Sequence, residues 1–196
     1  MEYQHDQVYE PAEDTFLLRD AALAEVRPDD RVLEVGCGSG AVSAALLGRA
    51  ASVAATDINP HAVGAGRGRG VETVRTDLMA GVRGPFDLVL FNPPYLPTQP
   101  EERIDDWLEY ALDGGPTGRA TIERFAADVG RVLAPFGRVL LLVSSLTGPD
   151  EVRKLFTDLG YIVLLAAEER VEDEDLLVLR ISRDLCRCGR CAGRDD

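Results

Sequence analysis

The chain is almost without lysine and lacks long apolar runs. Lys154 is the only lysine among 21 basic residues, and 34 acidic residues leave a formal net charge of −13. Tight non-specific binding to DNA or RNA requires clustered positive charge, so this balance argues against direct nucleic-acid binding. The acidic excess is typical of adaptation to high salt, although a GC-rich genome that favours arginine would produce a similar composition.

No apolar stretch approaches the length of a membrane span, and Met1–Asp6 lacks the basic and apolar segments of a secretion signal. We therefore expect a cytoplasmic protein that does not act on a membrane. At 196 residues the chain is long enough for one full core. Residues 1–183 are predicted to form a single domain, and residues 184–196 a flexible tail that contains cysteine.

Strand-like apolar runs alternate with helix-like segments, which predicts an α/β fold with helices on both faces of a parallel sheet. The predicted strands are Arg31–Val35, Ser52–Thr56, Val71–Arg75, Phe86–Phe91, Arg138–Val143, Tyr161–Leu165 and Leu176–Ile181. The predicted helices are Glu13–Val26, Ala41–Gly48, Asn59–Ala65, Thr121–Leu133 and Asp150–Leu159. Only the acidic loop Glu168–Asp175 separates the last two strands, so the last strand of this doubly wound, seven-stranded sheet should run antiparallel.

The third predicted helix lies in a segment rich in glycine, with Gly64, Gly66, Gly68 and Gly70. Each glycine costs up to about 1 kcal/mol in a helix, so we expect a short, weak helix that covers the third strand poorly. That strand lies at an edge of the predicted sheet. Because an uncovered edge can accept a strand from another chain, we predict that a partner protein docks there.

A glycine loop follows the first predicted strand. Gly36, Gly38 and Gly40 permit a tight turn and let a ligand approach the backbone. Their spacing lacks the third glycine of the dinucleotide fingerprint, which argues against NAD or FAD. Asp57 ends the second strand about 20 residues downstream, where a ribose-binding carboxylate belongs.

Two further carboxylates accompany this loop. Asp77 follows the third strand and could reach an adenine amino group, and Glu34 lies within the first strand, where a buried carboxylate must find a partner. Carboxylates without a basic cradle suit a nucleoside that carries no phosphate. The sequence therefore predicts S-adenosylmethionine as the cofactor.

The tetrapeptide Asn92-Pro93-Pro94-Tyr95 closes the apolar run Phe86–Phe91. The two prolines remove backbone donors and restrict the local φ angles, so the carbonyls before them are held rigidly. The Asn92 side chain and the Pro93 carbonyl could then accept both hydrogens of a planar –NH₂ group while Tyr95 stacks on its plane. The motif predicts a receptor for an amide or for an amino group on a π system.

With these residues the chain resembles the class I S-adenosylmethionine-dependent methyltransferases. More narrowly, it is similar to the HemK-type protein glutamine methyltransferases, in the compact branch of archaea and eukaryotes. The most specific part of the resemblance is Tyr9–Leu18, with the sequence YEPAEDTFLL. The other matching elements are Glu34–Gly40, Asp57–Pro60, Asp77-Leu78, Asn92–Tyr95, Asp113–Gly115 and Gly118.

The resemblance implies a Rossmann-like methyltransferase domain and a set of site residues. The implied residues of the cofactor pocket are Thr15, Glu34, Gly36, Asp57, Asp77, Leu78 and Asn92. The predicted cofactor site also includes the other two loop glycines, Gly38 and Gly40, and the residue after Asp57, Ile58. Asn92, Pro93 and Tyr95 would hold the methyl acceptor. The implied substrate is the glutamine of the Gly-Gly-Gln loop in class I translation release factors, and the implied partner is a small zinc-binding activator subunit, which agrees with the exposed third strand.

Two other functions share part of this pattern. Methyltransferases of adenine or cytosine in DNA or RNA can use the same tetrapeptide, because an exocyclic amine presents the same geometry. Enzymes that act on duplex DNA need base flipping and a basic groove, and only scattered arginines such as Arg67 and Arg69 are present here. A non-catalytic cofactor-binding scaffold would have no reason to keep the acceptor motif intact.

The tail contains Cys186, Cys188 and Cys191, three thiols at spacings found in metal sites. A closed zinc site normally needs four ligands, and Cys37 belongs to the glycine loop, so we predict no metal site. This tail does not belong to the family pattern. Trp107 is expected to pack under the substrate loop, and the glycines of Asp113–Gly115 to let that loop pass close to the incoming peptide.

Overall fold

The computed structural model describes residues 7–99, 106–172 and 174–188. The strands in these ranges are β1 (Arg31–Val35), β2 (Ser52–Asp57), β3 (Glu72–Arg75), β4 (Phe86–Phe91), β5 (Leu133–Ser144), β6 (Tyr161–Val171) and β7 (Glu174–Arg183). The α-helices are α1 (Glu13–Glu25), α2 (Ala41–Ala45), α3 (Pro60–Gly68), α4 (Trp107–Tyr110), α5 (Ala120–Val132), α6 (Pro149–Asp158) and α7 (Leu185–Cys188).

The seven strands form one sheet in the order β3-β2-β1-β4-β5-β7-β6. Strands β1 to β5 pair in parallel, and β7 pairs antiparallel with both β5 and β6. The predicted doubly wound sheet with an antiparallel last strand is confirmed. Strand order reverses between β1 and β4, which is where sheets of this kind bind ligands, beyond the carboxyl ends of the strands.

Two apolar clusters, one on each face of the sheet, form the core. On one face α1 and α2 contribute Leu18 and Val42, which pack against strand residues such as Val32. On the other face Phe125 of α5 and Phe156 of α6 belong to the second cluster. The central strands are buried on both faces, which explains why their sequences are nearly continuous apolar runs. No helix in the described ranges has both the length and the hydropathy to cross a bilayer.

The expectation of an acidic loop at Glu168–Asp175 is wrong. Strands β6 and β7 continue through it as a long hairpin, and Glu172 adopts a φ of 43° where the chain reverses. Glu168 and Glu169 point into solvent from an edge strand, so the strand forms without burying their charges. Across the hairpin Arg170 Nη1 contacts Asp175 Oδ1 at 2.8 Å. Antiparallel pairing therefore prevails over the low strand propensity of acidic residues.

Helix α3 is longer than predicted and packs closely on the sheet. Gly66 is buried, and a Cβ on this residue would lie 2.6 Å from Thr73 Oγ1 of β3. The helix thus covers one side of β3, and glycine is what allows the close approach. The opposite side of β3 remains open, since Val74 is 49% exposed. In the described residues β3 pairs with β2 alone, so it is an edge strand as predicted.

Two short helices were not predicted. Helix α4 contains Trp107, and the single turn α7 contains Cys186, whose thiol is free and exposed. Among the described residues no group of three or more His, Cys, Asp or Glu side chains could hold a metal ion. The Cys191 thiol of the predicted tail lies outside the described residues, and so does the side chain of Cys188.

Candidate active site

A cavity of about 780 Å³ opens at the carboxyl ends of the parallel strands. All the predicted site residues except Gly40 line it: Thr15, Glu34, Gly36, Gly38, Asp57, Ile58, Asp77, Leu78, Asn92, Pro93 and Tyr95. In the sheet order, β2 and β3 lie on one side of β1 and β4 lies on the other. The cavity therefore has a glycine-loop end, at β1 to β3, and an acceptor-motif end, at β4.

Gly40 lies behind the glycine loop. It adopts a φ of 75° at the N-cap of α2, and a Cβ there would lie 2.9 Å from Gly66 Cα of α3. Only glycine allows both this left-handed backbone and the close contact between the two helices. Gly40 thus shapes the loop from outside the cavity.

Asp57 fastens the glycine loop to the end of β2. Its Oδ2 accepts the Gly38 backbone N–H at 2.9 Å, and its Oδ1 accepts the Asn59 N–H at 2.8 Å. The carboxylate is 9% exposed, and burial raises its pKa while these backbone donors lower it. Each oxygen retains acceptor capacity for a ligand hydroxyl, because an ionised carboxylate has about four lone-pair sites.

Glu34 is buried beneath the loop and has a partner on α2. The Ser43 backbone N–H donates to Glu34 Oε2 at 2.9 Å, and the Ser43 hydroxyl donates to the same oxygen. Burial raises the pKa of Glu34 to about 7, although both bonds from Ser43 favour the charged form. The partner that was expected for this buried carboxylate is therefore Ser43, in the first turn of α2.

Asp77 and Leu78 form the rim of the same end. Asp77 Oδ2 lies 2.5 Å from Arg124 Nη2, in an ion pair whose side chains are about half exposed. Leu78 adopts a φ of 48°, a left-handed conformation that is uncommon for a residue other than glycine. Of the residues described as lining the cavity, Arg124 alone is basic, and the Asp77 carboxylate already pairs with it.

The acceptor-motif end centres on Asn92. Its Nδ2 donates to Asp14 Oδ2 at 3.0 Å, whereas its Oδ1 is buried without a hydrogen-bond partner. Within the described residues the only other buried side-chain oxygen in this condition is Thr56 Oγ1, and Thr56 is not part of the cavity wall. A buried acceptor without a donor is costly unless a ligand supplies one.

A loop that follows α4 supports the tetrapeptide. Leu96 and Asp113 form a parallel bridge, and a Cβ on Gly118 would lie 2.5 Å from the Tyr95 carbonyl oxygen. Gly118 therefore lets the loop approach the acceptor motif itself. Trp107 lines the cavity and packs against Tyr110 with ring centroids 5.5 Å apart, so it belongs to the cavity wall.

The polar and charged residues of the cavity wall that were not assigned a site role from the sequence include Tyr9, Asp14, Arg124 and Glu174. Tyr9 and Asp14 fall within the opening YEPAEDTFLL motif, so the motif itself was the available signal. Asp14 also has the ordinary appearance of an acidic residue in the first turn of a helix. Arg124 and Glu174 come from α5 and β7, and no local pattern marks them.

Comparisons with known proteins agree with this arrangement. Residues 15–105 match the family model for the methyltransferase small domain. A protein of Methanocaldococcus jannaschii, named as a candidate protein N5-glutamine methyltransferase, is 40% identical and covers 91% of this chain and 93% of its own length. Mouse methyltransferase HEMK2 is 39% identical over 90% of each chain.

A solved structure is similar as well. It is the Encephalitozoon cuniculi Mtq2–Trm112 complex, described as responsible for methylation of the translation termination factor eRF1. The matched chain superimposes with a TM-score of 0.76 at 30% identity, over 90% of this chain and 99% of that one.

Proposed function

Because this chain belongs to the family of protein N5-glutamine methyltransferases that includes HEMK2, we propose that it methylates a glutamine side chain of a translation release factor. The methyl donor is S-adenosylmethionine. The acceptor is the amide nitrogen of the glutamine in a Gly-Gly-Gln loop. The observation that carries this proposal is Asn92, a residue of the cavity wall whose buried Oδ1 has no hydrogen-bond partner.

The cavity fits this cofactor by its size and its donors and acceptors. About 780 Å³ lies within the range of pockets that enclose a small organic ligand. Asp57 offers free lone pairs for ribose hydroxyls, Asp77 offers a carboxylate at the rim for an amino group, and Gly36 and Gly38 leave room beside the loop. When bound, the cofactor supplies a methyl carbon attached to a positively charged sulfur.

The residues of the chain then act on the acceptor amide. A carboxamide nitrogen is a poor nucleophile, so its orientation toward the methyl carbon must contribute much of the rate. Asn92 Oδ1 and the Pro93 carbonyl accept its two N–H groups, which stabilises the positive charge that develops on nitrogen. The nitrogen gains the methyl group and releases one proton to solvent.

The charges around the cavity favour a protein acceptor over a nucleic acid. Among the described lining residues, Asp14, Glu34, Asp57, Asp77, Asp113 and Glu174 carry carboxyl groups. Arg124, the one basic residue among the described lining residues, already faces the Asp77 carboxylate in an exposed ion pair. The carboxylates around the cavity would therefore repel the negative charge of a phosphodiester backbone.

We also propose that a small zinc-binding subunit pairs with the open edge of β3. The Mtq2 structure contains a companion chain, Trm112, and β3 here has a free edge beside the exposed Val74. A Val74→Glu variant should weaken co-purification with the subunit and leave the fold unchanged. A Phe136→Glu variant, which changes an exposed residue of β5, is the matched control.

The central test is radiolabelled methyl transfer from S-adenosylmethionine. Release factor should be labelled when it carries Gly-Gly-Gln and not when that glutamine is alanine, with and without the small subunit. DNA and RNA should remain unlabelled under the same conditions. Label in nucleic acid, or in release factor that lacks the glutamine, would contradict the proposed function.

A further inference from the structure

The carboxylate of Asp14 makes a complete set of hydrogen bonds at the acceptor-motif end. Its Oδ1 accepts the Thr15 backbone N–H at 2.6 Å and the Thr15 hydroxyl at 3.1 Å. Its Oδ2 accepts Asn92 Nδ2 at 3.0 Å and the Tyr9 hydroxyl at 3.3 Å. The Asp14 side chain is 4% exposed, so these four donors take the place of water.

This set of contacts determines which way the Asn92 carboxamide faces. An ionised carboxylate only accepts hydrogen bonds, so the group that Asn92 presents to Asp14 must be its –NH₂. The reverse orientation would place the Asn92 oxygen against the Asp14 oxygen and leave both without a donor. Since the two branches of a carboxamide diverge, Oδ1 is directed away from Asp14, and this is the atom without a partner.

Tyr9 strengthens the same arrangement. Burial, followed by the charge of Asp14, raises the pKa of the Tyr9 hydroxyl, which therefore remains protonated and can donate. Thr15 holds the other carboxylate oxygen from the same helix turn. Hydrogen bonds from Thr15 and Tyr9 thus hold both oxygens of the Asp14 carboxylate, in addition to the bond from Asn92.

We propose that Asp14 is a positioning residue, which orients the Asn92 carboxamide so that its oxygen accepts the N–H of the methyl acceptor. This inference rests on the proposed function, because it concerns the acceptor that Asn92 would hold. Asp14 itself does not touch the acceptor. It acts by determining which end of the Asn92 carboxamide faces the acceptor.

An Asp14→Asn substitution tests the polarity with little change of shape. The two donors of Thr15 keep the new amide oxygen on their side, so the new –NH₂ faces Asn92. Asn92 must then turn its oxygen toward residue 14 and its –NH₂ toward the acceptor. We expect turnover to fall about 100-fold, as when one oriented dipole is lost from an active site, with cofactor affinity within threefold of wild type.

The double variant Asp14→Asn/Asn92→Asp should restore an acceptor oxygen. The amide at residue 14 donates to one oxygen of the new carboxylate, and the other oxygen faces the cavity. We expect it to be at least tenfold more active than Asp14→Asn alone, a non-additive result that a general loss of folding would not produce. Glu13→Gln removes the same charge from the exposed neighbouring position and should change turnover less than threefold.

A second measurement is independent of the acceptor's identity. The wild-type chain has only two asparagines, Asn59 and Asn92, so ¹⁵N-asparagine labelling gives two side-chain amide groups, and Asp14→Asn adds a third at residue 14. With S-adenosylhomocysteine present, Asp14→Asn should shift the Asn92 signal and leave that of Asn59 in place. If the shift occurs while wild type labels no release factor, the proposed function fails but the orientation stands. An unmoved Asn92 signal, near-normal turnover of Asp14→Asn, or no gain in the double variant overturns the inference.

Discussion

The glycine-loop end and the acceptor-motif end of the cavity are held together in different ways. At the first end, Gly38 bonds to Asp57 and Ser43 bonds to Glu34, partners separated by 19 and 9 residues. At the second end, Asn92 bonds to Asp14 across 78 residues. The loop contacts of the first end join neighbouring units of chain, although Asn59 Nδ2 also donates to the Gln7 carbonyl at 2.6 Å. At the second end the Asn92 side chain bonds to Asp14 of α1, so its orientation depends on that helix.

This difference has consequences for the effects of mutation. Contacts at the glycine-loop end join strands and helices of the core, so their loss should reduce folding stability together with cofactor affinity. Contacts at the acceptor-motif end orient one side chain, and their loss should reduce turnover while the fold persists. The following predictions test this division, from the largest expected effect to the smallest.

The largest effect is expected for Asn92→Ala. Removing the oxygen that accepts the substrate N–H should lower turnover about 1,000-fold, roughly 4 kcal/mol. The dissociation constant for S-adenosylhomocysteine should rise less than fivefold. Single-turnover methyl transfer and calorimetric titration measure the two quantities.

Thr56→Val is the matched control for this variant. It removes the other unpartnered buried oxygen, which lies outside the cavity wall, and should leave turnover unchanged. Near-normal turnover of Asn92→Ala would remove Asn92 from the mechanism.

Glu34→Gln should change the pH dependence of folding at the opposite end. The pKa of Glu34 rises from 4.5 to about 7 on folding, so the folded state holds this proton more tightly than the unfolded state. The resulting stability is present below pH 4.5 and is lost as pH rises to about 7, on the order of 3 kcal/mol in total. Urea denaturation between pH 5 and pH 8 should show wild type losing that stability relative to the variant.

The exposed carboxylate Glu123, in the first turn of α5, supplies the control for this comparison. The free energy of unfolding of Glu123→Gln should change with pH in the same way as that of wild type across this range. If the free energy of unfolding of Glu34→Gln also follows the wild-type pH dependence, the buried carboxylate is not its source. The contrast between the two ends is then weakened.

Asp57→Asn should affect affinity and stability together. An amide can accept at only one of the two positions, so either Gly38 or Asn59 loses its backbone bond. Cofactor affinity should fall about tenfold, and the free energy of unfolding by about 1–2 kcal/mol. Titration and chemical denaturation of the same samples test this coupling, and Asp29→Asn, at an exposed loop position, should alter neither. A loss of affinity without a loss of stability would contradict the proposed division.

The same division explains how far the sequence could predict the molecule. Strands β1 and β4 match their predicted bounds because their apolar runs end at Gly36 and at Asn92-Pro93. The glycine loop was equally visible, since its residues are adjacent in the chain. The bond between Asp14 and Asn92 was not, because a carboxylate in a first helical turn has the same local appearance whether it caps, repels or reaches across the fold.

Tertiary contacts also account for the errors. The acidic residues of the β6–β7 hairpin pair as strands because the sheet supplies their backbone partners. In α3, glycine was counted only as a helix-weakening residue. Its benefit appears once Gly66 meets Thr73, a contact that composition does not reveal.

The smallest effect is expected at Gly68, one of two glycines of α3 that differ in their surroundings. Gly66→Ala places a Cβ 2.6 Å from Thr73 Oγ1, which forces α3 to shift against β3, so it should destabilise the fold by about 1–3 kcal/mol. Since Gly40 of the glycine loop packs against this helix, cofactor binding should weaken as well. Gly68→Ala changes an exposed helical position and should stabilise by about 0.5–1 kcal/mol, because alanine loses less backbone entropy. Chemical denaturation of both variants decides whether glycine in this helix serves packing. If Gly66→Ala stabilised the fold as much as Gly68→Ala, the helix could move away from β3 at no cost, and the glycine-loop end would not depend on this contact.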